Sequence, residues 1–166
     1  MNALNLKHAD EIQAILAKYP ANDAGKRSAV MPLLYLAQQE YGYITKQAIR
    51  EIAEISGTTE TEVASIISFY TQYVDQSSGK YRIQVCTDLP CALRGAEEFV
   101  EKLCENLGIR VGEMTPDGLI KVEAVMCLAG CDKAPMFQVQ SSEGLENYEN
   151  QTVESALELI NKLRQG

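Results

Sequence analysis

The chain has 166 residues, of which 46% are hydrophobic and 23% are charged, a balance typical of folded globular domains and not of disordered chains. Its net charge is −8 and it has no cluster of Lys and Arg, so we expect no nucleic-acid partner, because phosphate neutralisation dominates that affinity. No apolar run approaches the ~18 residues of a membrane span, and no apolar segment follows a basic N-terminus, so we expect a cytoplasmic chain without direct membrane insertion.

Residues 1–75 are predicted to form an N-terminal helical bundle, because apolar residues recur there with the spacing of amphipathic helices. The pattern predicts three or four short helices. The first ends at Pro20, and the others begin after Ser28, Thr45 and Thr59 as N-caps.

Three details complete the prediction for the bundle. Thr59 and Glu62 match a capping box, and Asn22–Gly25 reads as a turn. His8, the only histidine, precedes the first apolar stripe and is expected to be solvated. We find no residue in the bundle that suggests chemistry.

Residues 76–166 are predicted to form a second domain of mixed strands and helices. A polar linker at Gln76–Lys80 opens it, and the period of the apolar residues then changes to two. The predicted order is strand, helix, strand, strand, strand, helix, over about residues 81–86, 90–107, 120–126, 136–140, 146–149 and 152–164. The strand–helix–strand opening is a crossover unit, so its two strands should be parallel.

Four of the five cysteines lie in two short loops, each directly after one of these parallel strands. Cys86 and Cys91 form a C-x4-C pair, and Cys127 and Cys131 form a C-x3-C pair. Because the carboxyl ends of parallel neighbours lie at one edge of a sheet, ~4.8 Å apart, we expect the two pairs to converge. Cys91 also lies where a helix begins, which favours thiolate over thiol.

Four converging cysteines are compatible with several kinds of site. In a reducing compartment, closely spaced cysteines bind metal or perform redox chemistry more often than they form structural disulfides. A [2Fe–2S] cluster and a zinc ion both accept four thiolates, but the spacing is not that of plant-type ferredoxins. One histidine cannot supply the two that a Rieske centre needs, and neither pair is C-x-x-C. The spacing therefore leaves an iron–sulfur cluster, zinc, and a disulfide or regulatory thiols open.

Cys104, the fifth cysteine, lies on or beside the apolar stripe of the predicted helix over 90–107. A buried free cysteine behaves as a small hydrophobic residue. We therefore expect Cys104 to pack in the core and not to join the other four.

The residues around the cysteines form longer motifs, Val85–Gly95 and Val125–Met136. Three further segments, Met31–Ile44, Ser68–Tyr70 and Thr115–Gly118, extend the likeness to nearly the whole chain. Together they resemble the thioredoxin-like [2Fe–2S] subunit of NADH:quinone oxidoreductase, respiratory complex I.

One small departure from that family lies between Cys127 and Cys131. The chain reads Leu128-Ala-Gly130 where the family often reads Leu-Gly-Ala, so we expect a local change of backbone without loss of the site. Backbone N–H groups in Thr87–Leu89 and Leu128–Cys131 are expected to donate hydrogen bonds to the sulfurs. Pro135 is a candidate for a cis peptide bond.

The resemblance implies an α+β protein, with an N-terminal helical bundle (residues 1–75) followed by a thioredoxin-like α/β domain (residues 76–166). It also implies that one [2Fe–2S] cluster is ligated by the four loop cysteines, Cys86, Cys91, Cys127 and Cys131.

The resemblance further implies an oxidoreductase subunit that transfers single electrons and has no catalytic residue of its own. The partner would be a larger iron–sulfur subunit that carries FMN and the NADH site, together with other peripheral-arm subunits. The absence of a G-x-G-x-x-G segment after a strand and of a P-loop agrees with this division. The bundle would be the docking surface, and the complex would place the chain at the inner face of the cell membrane.

Three alternatives remain at the level of sequence. The same type of subunit serves NAD-reducing hydrogenases and formate dehydrogenases. A free-standing thioredoxin-like ferredoxin would not need the helical extension. A zinc-binding interaction module would have the same ligands without redox chemistry.

Overall fold

The computed structural model describes residues 3–165, which divide after Ser77 into two compact units. Helices and a four-stranded sheet confirm the predicted α+β class. Within residues 3–165, no helix is both long enough and apolar enough to cross a bilayer.

The first unit is helical. Within residues 3–77 it contains α1 (Ala3–Lys7), α2 (Ala9–Leu16), α3 (Asp23–Ser28), α4 (Val30–Tyr41), α5 (Lys46–Ser56) and α6 (Glu60–Phe69). They enclose an apolar core whose largest fully buried side chains are Leu4, Ile12, Leu33, Leu34, Ile44 and Ile52. Burial of this apolar surface stabilises helices that are too short to be stable alone.

The ends of the longer helices follow the predicted capping residues. The side chain of Thr45 caps α5, and Thr59 and Glu62 form the predicted capping box at the start of α6. Gly42 and Gly57 end α4 and α5 with φ of 76° and 67°, a conformation that glycine adopts without steric cost.

Two short helices, α1 and α3, were not predicted. Asn22 does not lie in a turn but caps α3, accepting a hydrogen bond of 2.9 Å from the backbone N–H of Gly25. Only glycine fits at position 25 without a shift of the backbone, because an added Cβ would lie 1.9 Å from the carbonyl oxygen of Pro20. The prediction for Ser28 was wrong: it ends α3, and its hydroxyl donates to the carbonyl of Ala24 (3.0 Å).

The prediction that His8 is solvated was also wrong. Its Nε2 lies 2.9 Å from Oε2 of Glu40, and its Nδ1 lies 3.5 Å from Oε1 of Glu11. Lys7 pairs with the same Glu40 carboxylate. Because Glu40 lies in α4, these polar contacts connect the first two helices to α4.

The second unit combines strands and helices. Within residues 78–165 it contains β1 (Tyr81–Cys86), α7 (Leu89–Ala92), α8 (Ala96–Leu107), β2 (Ile120–Val125), β3 (Phe137–Ser141), β4 (Gly144–Tyr148) and α9 (Val153–Gln165). The single helix predicted over residues 90–107 is interrupted, since Gly95 takes a left-handed φ of 84° between α7 and α8.

The strands form one sheet in the order β2-β1-β3-β4. The predicted parallel pairing of β1 with β2 is confirmed, with Cys86 opposite Val125 at the carboxyl ends. β1 and β3 are antiparallel, and so are β3 and β4. The peptide bond between Ala134 and Pro135, which precedes β3, is cis.

Alternate residues of β1, β2 and β3 contribute to an apolar core with α8 and α9. Its fully buried members include Ile83, Val85, Leu103, Ile120, Val122, Phe137 and Ile160. Cys104 belongs to this core and is 3% exposed, which confirms its predicted packing. The core thus holds β1 and β2 side by side, and with them the two cysteine loops.

Candidate metal centre

The four loop cysteines lie at the edge of the sheet where β1 and β2 end. Cys86 is the last residue of β1, and Cys91 lies in the short helix α7. Cys127 comes two residues after β2, and Cys131 begins a single 3₁₀ turn. The N–H of Thr87 donates to the carbonyl of Val125 (2.9 Å), so the segment after β1 stays paired with the end of β2 just beyond Cys86.

The thiols meet as two pairs. Cys86 and Cys91 are buried in one small core, whereas Cys127 and Cys131 are exposed, with their sulfurs 4.0 Å apart. Leu128, which follows Cys127, packs against the core that contains Cys86 and Cys91, so the two loops are neighbours. All five cysteines are free thiols, and 4.0 Å is about twice the ~2.05 Å of a disulfide bond.

Two pairs of thiols match the ligand set of a two-iron cluster. Each iron of an all-cysteine [2Fe–2S] cluster takes two protein thiolates. The donor set, four thiols and no other ligand type, suits iron in such a cluster.

The protonation of the thiols follows from burial and mutual contact. Burial raises the pKa of Cys91 to about 11, with a further contribution from the neighbouring Cys86. The pKa of Cys131 is raised first by its hydrogen bond to Cys127. In the metal-free chain, the effect of burial on the pKa of Cys91 is therefore larger than that of the helix N-terminus. Cys91 is a thiol at neutral pH, not the thiolate that its position at the helix start was expected to favour. Metal binding must displace these protons.

A backbone N–H group donates a hydrogen bond to one of the sulfurs. The N–H of Ala129 lies 3.3 Å from Sγ of Cys127, within the predicted Leu128–Cys131 segment. The backbone of Met136 opposes the rise in the pKa of Cys91, and no sequence signal other than the preceding Pro135 marks this residue.

Two of the three donors predicted in Thr87–Leu89 are bonded elsewhere. The N–H of Thr87 bonds to Val125 of β2, and that of Leu89 bonds to the Asp88 side chain (2.9 Å). The prediction was wrong for Thr87 because the ladder of the sheet continues past Cys86, and for Leu89 because the Asp88 carboxylate accepts from its N–H.

The surface beside the site is apolar. Leu89 and Leu93 in and after α7 are 68% and 80% exposed, and Met126, next to Cys127, is 76% exposed. Large apolar side chains with this exposure beside exposed thiols are typical of a contact surface for another protein.

An all-cysteine centre on a small α/β unit defines the class of protein. The sequence profile of the thioredoxin-like [2Fe–2S] ferredoxin family matches residues 12–164. The chain therefore belongs to the thioredoxin-like [2Fe–2S] ferredoxin family, as the motif residues predicted, and a [2Fe–2S] cluster is the cofactor of that family.

Curated relatives agree with this assignment. NADH-quinone oxidoreductase subunit 2 of Thermus thermophilus is 48% identical over 137 residues, which are 82% of this chain and 75% of that protein. An NADH-quinone oxidoreductase subunit of Mycobacterium tuberculosis is 38% identical over 154 residues, 93% of this chain but 58% of that protein. Another, from Rhizobium meliloti, is 38% identical over 130 residues, 78% of this chain and 75% of that protein.

Solved structures show the same fold. A chain of an NAD+-reducing [NiFe]-hydrogenase in the H2-reduced state superposes with a TM-score of 0.67 at 21% identity. The match covers 80% of this chain and 22% of the hydrogenase chain, and the air-oxidized state gives a TM-score of 0.66. At this identity the likeness concerns the fold alone.

Proposed function

We propose that the chain is the [2Fe–2S] electron-transfer subunit of an NADH-quinone oxidoreductase. The observation that carries the proposal is the placement of the Cys86/Cys91 and Cys127/Cys131 pairs in two adjacent loops at one sheet edge. The names of the related subunits supply the reaction class, an oxidoreductase that takes electrons from NADH.

Each thiol pair has its own role in this proposal. Cys86 and Cys91 would hold the cluster from the buried side, and Cys127 and Cys131 would hold it from the exposed side. The cluster would supply one-electron transfer with the FMN of the partner subunit. The N–H group of Ala129 would stabilise negative charge on sulfur, which raises the reduction potential, whereas the acidic chain lowers it.

The proposed partner is a larger iron–sulfur subunit that holds FMN and the NADH site. Leu89, Leu93 and Met126 would contact it and exclude water from the path between the cofactors. Through this subunit and the other peripheral-arm subunits, the chain would lie at the inner face of the cell membrane.

The helical bundle is the second proposed contact with the partner. Phe69 is 76% exposed, and its ring packs edge-on against Tyr70 at 5.0 Å. Tyr70 and Tyr35 both contact Tyr73, so the patch is a connected group of four aromatic rings. Exposed aromatic clusters of this kind are enriched at the centres of protein interfaces.

The cluster is tested on the purified chain. We expect visible absorption and an EPR signal on reduction in the wild type, and loss or distortion of both in Cys127→Ser. Cys104→Ser is the matched control and should retain the cluster, because Cys104 lies in the separate apolar core. A colourless protein with one zinc ion per chain would refute the proposal in favour of the zinc module.

The partner is tested by purification from the native source. The co-purified subunits distinguish a quinone oxidoreductase from a hydrogenase or a formate dehydrogenase. Phe69→Ser should reduce recovery of the flavin subunit, whereas Leu6→Ser, at an exposed leucine (59%) of the same unit, should not. Equal recovery with both variants would contradict docking through the aromatic patch.

A further inference from the structure

Met136 contacts both halves of the candidate cluster site. Its carbonyl accepts a hydrogen bond of 3.1 Å from the N–H of Cys86. Its side chain is 2% exposed and belongs to the small core that contains both of these cysteines. Met136 thus binds Cys86 through its backbone and packs in the same small core as the buried thiol pair.

The side chain of Met136 reaches the other loop. A Cβ added at Gly130 would lie 2.3 Å from Sδ of Met136 and 3.1 Å from its Cε. Gly130 has a φ of −112°, which other residues also adopt, so its backbone conformation does not require glycine. A side chain at position 130 would force the side chain of Met136 to move, because the methionine sulfur fills that space.

The residue next to this contact has an unfavourable backbone conformation. Ala129 has a φ of 62°, where its Cβ crowds the backbone. This conformation coincides with the 3.3 Å hydrogen bond from its N–H to Cys127. Such a conformation persists only where the surroundings enforce it, and the packing of Met136 against Gly130 is an adjacent constraint.

We propose that Met136 is a positioning residue that sets the spacing between the buried and the exposed thiol pairs through its contact with Gly130. The inference rests on the proposed cluster ligation by the four cysteines. Through this contact Met136 maintains the hydrogen bond from Ala129 and excludes water from one side of the site, two factors that control reduction potential.

The contact is tested with a double-mutant cycle in the full chain, using Gly130→Ala, Met136→Ala and the combined variant. In the metal-free chain we expect strong coupling: Gly130→Ala should be less destabilising when Met136 is alanine, because the clash is gone. Denaturant unfolding measures this coupling without any cluster. Met114→Ala, at a partly exposed methionine outside the site, is the control and should not couple to Gly130→Ala.

The effect on the site is measured in the loaded chain. Both single variants should lose the cluster to a chelator about tenfold faster or more, the usual scale for residues that orient metal ligands. Their EPR g-values and reduction potential should shift, which a role in stability alone would not cause. Met136→Leu conserves most of the volume and should restore cluster retention.

Additive effects in the metal-free chain, or wild-type EPR spectra and potentials in both single variants, would overturn the positioning role. A wild-type chain that binds no [2Fe–2S] cluster would overturn the proposed function instead. The unfolding cycle distinguishes the two failures, since it reports the Met136–Gly130 contact in the absence of metal.

Discussion

At the scale of single residues, burial divides the four thiols into two kinds. Cys86 and Cys91 are at most 3% exposed, so they can be reached only from the site itself, whereas Cys127 and Cys131 face solvent. The raised pKa values of Cys91 and Cys131 mean that these two thiols keep their protons at neutral pH until metal binds. Cluster assembly should therefore proceed more readily as the pH rises.

The contacts of His8, the only histidine in the sequence, predict that the stability of the folded chain depends on pH. The hydrogen bond to Glu40 raises the pKa of His8 above its usual value, so protonation stabilises the folded chain. This contribution is complete below the unfolded pKa of about 6.5 and is lost as the pH rises through the raised folded pKa. Thermal unfolding across that interval should show a falling melting temperature.

The matched variant is His8→Gln, which removes the titration but can still hydrogen-bond to Glu40. The difference in melting temperature between wild type and His8→Gln should shrink with rising pH, and titration of the cysteines cancels in that difference. A difference independent of pH would contradict the role of the His8 proton. The other charged groups at this cluster, Glu11 and Lys7, remain in both chains.

At the scale of elements, the capping box of α6 predicts a measurable loss of stability. Thr59 accepts a hydrogen bond from the N–H of Glu62 (3.2 Å), and the Glu62 carboxylate accepts from the N–H of Thr59 (2.9 Å). Thr59→Ala removes the first of these bonds and should lower the free energy of unfolding by about 1 kcal/mol. Thr61→Ala, at an exposed position in the same helix, should be neutral or slightly stabilising, because alanine has the higher helix propensity. Equal losses in both would show that the cap contributes nothing.

Elements that are defined by local chemistry could be predicted, and the misses have physical causes. Thr45 and Thr59 act through neighbours within three residues, so their role as N-caps is visible in the sequence. Asn22–Gly25 contains turn residues that also suit a helix start, and the structure shows Asn22 as the cap of α3.

At the scale of the whole molecule, the four proposed ligands all lie in the second unit, since no cysteine precedes Cys86. Removing the cluster should therefore open the loops at residues 86–94 and 126–136 locally. We expect amide hydrogen exchange there at least about tenfold faster, equal to about 1.4 kcal/mol of local opening free energy. Exchange in α4 and α5 should stay unchanged.

The chain with Cys127→Ser is the control for this measurement, because it should show the exchange pattern of the metal-free state without chelator or reductant. Faster exchange spread equally over the bundle and the loops would contradict a local effect. It would indicate instead that the cluster stabilises the fold as a whole.

The sequence by itself determined the class of the protein and the edge of the sheet where its chemistry lies. Alternation of apolar residues identifies β1 and β2 as strands, and their crossover connection makes them parallel, so Cys86 and Cys127 must leave the sheet at the same edge. The alternation of apolar residues is a local signal and the crossover connection is a topological one, so both can be recognised from the sequence alone.

Only the tertiary structure decided how the thiols pair, which of them are buried, and what holds the two loops together. Met136 and Gly130 are six residues apart, and no sequence motif indicates that they touch. The side chain of Met136 nevertheless fills the space that a side chain at Gly130 would occupy. Periodicity tells which face of an element a residue occupies, but not which residue of another loop it will touch. That depends on distances set by the packed core, and at this site those distances control the chemistry.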